Sequence, residues 1–172
     1  MRTGRSKVAA CAPVRLLILD VDGVLTDGRL HYGARGEVLK SFHVRDGHGI
    51  RALHEAGVEI AVISGRRSAA VARRCRELGI RHLIQGADDK LAAFAKLARR
   101  LNVQPVECAC IGDDVPDIPL LRSVGLSYAV ADAHPAAKRA ARYATSLGGG
   151  AGAVREVCDQ LVAAARRSGP AP

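Results

Sequence analysis

The sequence predicts an α/β domain: three layers, Rossmann-like, with a parallel central sheet between helices. Three observations carry this. Leu16-Leu-Ile-Leu-Asp20 and Glu59-Ile-Ala-Val-Ile-Ser64 are continuous apolar runs without alternation, the mark of strands buried on both faces. Segments of helical period separate the runs. Acids and small polar residues stand where each run ends, and in parallel sheets ligands bind beyond the carboxyl ends of the strands.

Size and composition agree with one core. The chain has 172 residues, 48% of them hydrophobic, with no Trp and 3% aromatics. Ala, Val, Leu and Ile must therefore fill the interior. The prior for this length is one domain, expected over residues 14–165. Residues 1–13 read as a disordered basic lead-in and 166–172 as a disordered tail. Net charge is +9, but the basic residues are scattered, without a dense block or interleaved aromatics. That argues against nucleic acid and membrane as partners and leaves an anionic small molecule. Five cysteines, Cys11, Cys75, Cys108, Cys110 and Cys158, form an odd set without zinc-like spacing. Cys108 and Cys110, in an apolar run that reads as a buried strand, read as small core residues, and the absence of a disulfide framework fits a reducing compartment, the cytoplasm.

The elements follow in order. After the Leu16 strand, Thr26–His43 carries Gly28, Gly33 and Gly36 around two short runs, Arg29–Tyr32 and Val38–His43, and reads as a β-hairpin. Gly49–Ala56 reads as a helix closed by Gly57. After the Glu59 strand come a helix at Ser68–Leu78, a short strand at His82–Gln85 and a helix at Asp89–Leu101. Val106–Ile111 is the next strand, followed by a helix at Asp117–Val124, a strand at Leu126–Val130 and a helix at Pro135–Arg142 with Pro in its first turn. Gly148–Gly152 reads as flexible, and Ala153–Ala165 as the last helix.

The strand ends collect the chemistry. The first ends Asp20-Val-Asp22-Gly23, the second Ser64-Gly65-Arg66, and a later one Gly112-Asp113-Asp114-Val-Pro-Asp117, while Lys90 opens a helix between them. On an extended chain Asp20 and Asp22 point the same way, about 6–7 Å apart. Carboxylates that close resist joint ionisation, and Asp113, Asp114 and Asp117 sharpen the conflict. A hard cation such as Mg²⁺ resolves it, with Lys90 and Arg66 offsetting more charge. Ser64 and the turn amides at Gly65 suit phosphate oxygens. One carboxylate can then attack phosphorus, and another can move the proton. Each piece alone has a plainer reading, as a turn, a helix cap or a solvated lysine. Their order and placement together are specific.

These segments resemble the four motifs of the haloacid dehalogenase superfamily of phosphatases. The resemblance implies Asp20 as nucleophile and Asp22 as general acid/base. It implies Mg²⁺ held by Asp20, the backbone carbonyl of Asp22, and Asp113. It makes Ser64 and Lys90 phosphate ligands, with Asp114 and Asp117 in support. No insertion is large enough for a cap domain, and the chain is similar to a capless branch, the family of 3-deoxy-D-manno-octulosonate 8-phosphate phosphatases. Leu16–Gly28, Phe42–Gly47, Ile63–Arg66, Gln85-Gly86 with Lys90, Gly125–Pro135 and Gly152–Cys158 carry that similarity. It implies substrate contacts from His43, Val44, Arg45, Asp46, Gly47, Gly65, Arg66 and Arg74, besides Asp22 and Lys90. It also implies a homotetramer in which the hairpin meets neighbouring subunits and the C-terminal segment Gly148–Arg155 reaches an adjacent site. A phosphatase for a nine-carbon sugar acid, such as N-acylneuraminate 9-phosphate or its deaminated analogue, fits the same residues. A receiver domain fits poorly, since its paired acids, phospho-acceptor and lysine come in another order. A non-catalytic phospho-sugar binder would be expected to lose Asp20 or Asp22.

Overall fold

The computed structural model describes residues 13–168. The lead-in expected over 1–13 lies outside them except for Pro13. So do Cys11 and residues 169–172 of the expected tail.

Strand β1 (Leu16–Leu19) is buried at every position, as an uninterrupted apolar run requires. A loop leads to a two-stranded antiparallel hairpin, β2 (His31–Gly33) and β3 (Gly36–Leu39), with a bulge between His31 and Tyr32. Helix α1 (Val44–Glu55), β4 (Glu59–Ser64), α2 (Ala69–Leu78), β5 (His82–Gln85), α3 (Lys90–Leu101) and β6 (Cys108–Gly112) follow. The chain continues through α4 (Ile118–Ser123), β7 (Leu126–Ala129), α5 (Pro135–Ala140), β8 (Tyr143–Ala144) and α6 (Ala153–Ser168).

The main sheet is parallel throughout, in the order β5-β4-β1-β6-β7-β8. Helix α1 packs on α6 and α2, while α3 packs on α4 and α4 on α5, so helices cover both faces. The order places the site. From β1 the chain winds outward through β4 to β5, then returns to β6 on the other side of β1. The carboxyl ends of β1 and β6 therefore flank the switch point, where loops leave in opposite directions and open a crevice.

Several elements differ from the sequence reading: the hairpin strands are His31–Gly33 and Gly36–Leu39 instead of Arg29–Tyr32 and Val38–His43, and β6 begins at Cys108 instead of Val106. Helix α1 begins at Val44 instead of Gly49. His43 caps it, its Nδ1 accepting from the Arg45 amide at 3.2 Å. Gly47 and Gly49 are helical because they let neighbours close in: a Cβ at Gly49 would lie 2.8 Å from Arg155 Cδ, and one at Gly47 2.4 Å from Arg74 Nη2. Helix α5 ends at Ala140, two residues before the expected Arg142, and the short strand β8 that follows at Tyr143–Ala144 had no place in the reading. Helix α6 runs on to Ser168, with Arg166 and Arg167 in its last turn, where cations suit the helix dipole.

Cys75, Cys108, Cys110 and Cys158 are free and buried. Burial pushes all four thiols up, Cys75 and Cys108 to about 11 and Cys158 to about 12, so they remain thiols in the core. Among the described residues, no helix is long and apolar enough to cross a membrane.

Candidate active site

Ten residues line a cavity of about 260 Å³ at the switch point: Asp20, Asp22, Ser64, Gly65, Arg66, Lys90, Asp113, Asp114, Pro116 and Asp117. The five acids, Ser64, Gly65, Arg66 and Lys90 of the four strand and helix ends therefore meet.

Asp20 follows β1, and its amide donates to Ile111 O of β6 at 3.2 Å, which ties the two strand ends together. Lys90, in the first turn of α3, reaches across with its ammonium 2.8 Å from Asp20 Oδ1 and 2.6 Å from Asp117 Oδ1. The other oxygen of Asp117 accepts from the amides of Asp113 and Asp114 at 2.9 and 3.2 Å. Both oxygens of Asp117 are thus engaged, which makes it an organiser of the Asp113 turn and of Lys90. Asp114 is exposed and caps the following turn, with Oδ1 2.7 Å from the Val115 amide.

Carboxylate oxygens of Asp20, Asp113 and Asp117 lie within 4.8 Å of one another. Burial, then the Asp117 charge, pushes Asp20 up to about 6 against the pull of Lys90. Burial, then the Asp20 and Asp117 charges, pushes Asp113 up to about 8. Burial pulls the Lys90 ammonium down, but Asp20 and Asp117 outweigh it and hold it above the ordinary lysine range. One lysine does not satisfy three acids. The all-oxygen donor set and this excess of negative charge fit a hard divalent cation. Gly23 permits the arrangement: at φ +90° a Cβ there would lie 2.1 Å from Asp113 Oδ2.

The far wall is the loop after β4. Ser64 is buried, and its Oγ accepts from the Arg66 amide at 3.3 Å, leaving the hydroxyl hydrogen free for an anion. The loop is stapled by Ala87 N to Ser64 O at 3.1 Å and Gly86 N to Arg66 O at 3.4 Å.

The sequence did not reveal the hairpin's part. Lys40, just after β3, is buried and pairs with Asp22 Oδ1. It also lies 3.2 Å from Glu37 Oε2. Arg66 hydrogen-bonds the Tyr32 hydroxyl and lies 3.7 Å from Asp22 Oδ2. A lysine and a glutamate in a polar hairpin read as solvated residues, and no spacing marks them otherwise.

The segment His43–Gly47 and Arg74 lie outside the cavity. His43 caps α1, and Val44 and Arg45 are exposed. Asp46 is buried against α6, with Oδ1 accepting from the Arg155 amide at 2.8 Å. Burial pushes its carboxyl above the usual range despite that bond. Gly47 gives room to Arg74, which lies over the Phe42 ring at 6.0 Å and 3.5 Å from Glu77. In the fold these residues join α1 to α2 and α6.

The glycine run that reads as flexible makes defined contacts with the loop after β1 and with Asp132. Gly149 N donates to Asp132 Oδ1 at 2.9 Å, and Gly150 N to Val24 O at 3.0 Å. A Cβ at Gly149 would lie 1.8 Å from Gly23 O, so only glycine lets this turn rest against the loop that carries Asp20 and Asp22.

Residues 43–125 match the family of haloacid dehalogenase-like hydrolases. The 3-deoxy-D-manno-octulosonate 8-phosphate phosphatase of Escherichia coli (strain K12) is 52% identical over 157 residues, 91% of this chain and 84% of that protein. The 1.95 Å crystal structure of the phosphatase of that name from Yersinia pestis superposes with a TM-score of 0.87 at 51% identity, over 91% of this chain and 84% of that one. The Moraxella catarrhalis phosphatase, in complex with a magnesium ion, a phosphate ion and KDO, gives a TM-score of 0.86 at 44% identity, over 88% and 87%.

Proposed function

Since the chain belongs to the haloacid dehalogenase-like hydrolases, and among them to the 3-deoxy-D-manno-octulosonate 8-phosphate phosphatases, we propose that it hydrolyses 3-deoxy-D-manno-octulosonate 8-phosphate (Kdo-8-phosphate) to Kdo and phosphate. This step supplies Kdo for lipopolysaccharide. The observation that carries the reading is the meeting of Asp20, Asp22, Ser64, Lys90 and Asp113 in one small cavity at the switch point.

Asp20 Oδ2 attacks the phosphorus, while Lys90 holds Oδ1 at 2.8 Å and fixes the attacking rotamer. Ser64 and Lys90 hold the phosphate oxygens. Asp22 donates a proton to the departing sugar oxygen, leaving an aspartyl phosphate on Asp20. Asp22, now a carboxylate, takes a proton from the water that attacks the phosphoryl group. Phosphate leaves, and both acids return to their starting states. Asp20, the Asp22 carbonyl and Asp113 would hold Mg²⁺, which screens the repulsion between nucleophile and phosphate and stabilises charge in the transition state.

Gly65 and Arg66 belong with the substrate at the cavity mouth. His43, Val44, Arg45, Asp46, Gly47 and Arg74 would meet substrate only at a junction between subunits. We assign the protein to the cytoplasm as a homotetramer built through the hairpin and the C-terminal segment Gly148–Arg155. Exposed apolar side chains on the hairpin support this, with Val38 at 66% and Tyr32 at 59% exposure. Val38→Asp is expected to shift the mass measured by light scattering from tetramer to smaller species; an unchanged mass would remove the hairpin from the interface.

The pH dependence of cation binding has a definite sign. The carboxyls of Asp20 and Asp113 rise from the ordinary 3.8 to about 6 and about 8. A carboxyl with a raised folded value gives stability that is full below the unfolded value and lost as pH rises through the folded one. Metal-free protein therefore loses this contribution between about pH 4 and pH 8. Mg²⁺ competes with the same protons. At fixed free Mg²⁺, the rise in Tm on adding the ion is expected to grow from pH 6 to pH 8. A rise independent of pH would contradict these ligands.

Phosphate release with Mg²⁺ from Kdo-8-phosphate, N-acetylneuraminate 9-phosphate, its deaminated analogue and a hexose phosphate tests the substrate. The expected result is strong preference for the first. Preference for a nine-carbon acid would replace the substrate and keep the chemistry; no release from any would overturn the reading.

A further inference from the structure

The hairpin reaches Asp22 through a side chain that no part of the reaction above requires. Lys40 is 1% exposed at its side chain, although it stands at the end of an exposed two-stranded hairpin. Burying an ammonium is costly unless it is paired, and an apolar side chain fills such a position at lower cost. Its partners account for it. One is Asp22 Oδ1, and the other is Glu37 Oε2 at 3.2 Å.

The chain of contacts continues inward. The Ser68 hydroxyl donates to Glu37 Oε1. Ser68 caps α2, accepting from the Val71 amide at 3.4 Å, and its own amide donates to Gln85 Oε1 at 2.7 Å at the end of β5. Asp22 is thereby tied through Lys40, Glu37 and Ser68 to the central sheet. Burial works to raise the Glu37 carboxyl, but the Ser68 and Lys40 bonds outweigh it and hold it below the ordinary range, as a settled anion. Among the described residues the other cation paired with Asp22 is Arg66, 3.7 Å away and 43% exposed at its side chain. An exposed guanidinium at that distance is screened by water and fixes no rotamer; a buried ammonium in contact does.

We propose that Lys40 is a positioning residue for the reaction: from the hairpin it clamps the Asp22 carboxyl at the cavity mouth, where Asp22 meets the leaving oxygen. The assignment rests on Asp22 as the proton donor proposed above. It also makes the hairpin part of the catalytic apparatus, since the clamp follows directly on the strand that carries Glu37 and the exposed Val38.

The test separates proton donation from general damage. Departure of a sugar alkoxide needs a proton, whereas departure of p-nitrophenolate needs little help. For Lys40→Met, kcat/KM on the best alkyl phosphate of the substrate panel is expected to fall on the order of 10²-fold, the scale of a misplaced reacting group. On p-nitrophenyl phosphate the loss should stay below about threefold. Equal losses on both esters, or no loss on either, would overturn the clamp. If Lys40→Met does not fold, Glu37→Gln serves instead, since it leaves Lys40 on Asp22 and removes its anchor. The same split is then expected at about tenfold, and equal losses again overturn the proposal. Asp22→Asn is the reference. A split in Asp22→Asn but not in the Lys40 or Glu37 variant refutes the clamp alone. No split in Asp22→Asn removes Asp22 as proton donor, and the clamp with it.

Discussion

Replacing Asp20 with Asn is expected to lower kcat by roughly 10⁴–10⁶-fold, the scale seen when a covalent nucleophile is removed. The amide is nearly the same size and can still accept from Lys90. It cannot attack phosphorus as an anion. The fold should survive, because replacing the carboxylate removes one of the like charges crowded with Asp113 and Asp117. Melting of metal-free protein should therefore be unchanged or raised, while phosphate release disappears. Turnover within tenfold of the parent would contradict the covalent route.

The second large effect is expected at Lys90. Its ammonium joins Asp20 and Asp117, and all three residues are buried. Removing one partner of a buried charge network costs about 3–5 kcal/mol, chiefly because the remaining charges lose their compensation. Lys90→Met should lower the Tm by roughly 10 °C, given the size of this domain. Asp117 would also lose the contact that fixes Oδ1, loosening the turn that presents Asp113. Phosphate release should fall by at least about 10²-fold, since positioning and charge are lost together. Lys90→Arg keeps the charge in a bulkier fork and should recover more of the Tm than of the activity. Thermal melting and phosphate release on the same samples check both. A Lys90→Met protein with unaltered Tm would show that the network is not a structural element.

These effects concern residues legible in the sequence, and the reason is physical. A parallel sheet turns its central strands into unbroken apolar runs, so Leu16–Leu19 and Glu59–Ser64 stand out. The residues just past the end of such a run lie at the ligand edge. Asp20, Ser64, Lys90 and Asp113 could therefore be placed together without any contact being known. The start of α1 was hidden because Gly47 and Gly49 weigh against a helix locally. Their use lies in tertiary approach, to Arg74 and to Arg155. The structural part of Asp46 was hidden too: its carboxyl caps α6 from a position 109 residues away, which no local pattern marks. The glycines at 148–150 suggested mobility, whereas Gly149 is required for contact with Gly23. Lys40 and Glu37 carried no signal at all. Burial of a charged hairpin residue depends on where the hairpin folds back, which no local pattern encodes.

The central claim is that phosphate passes through Asp20. The most direct measurement quenches the enzyme during turnover with Mg²⁺ and the preferred sugar acid phosphate, reduces it with borohydride, and sequences the peptides by mass spectrometry. Reduction converts an aspartyl phosphate to homoserine. The account predicts homoserine at position 20, dependent on substrate and absent in Asp20→Asn. Steady phosphate release with unmodified Asp20, or with homoserine at Asp22 or Asp113 instead, would contradict it.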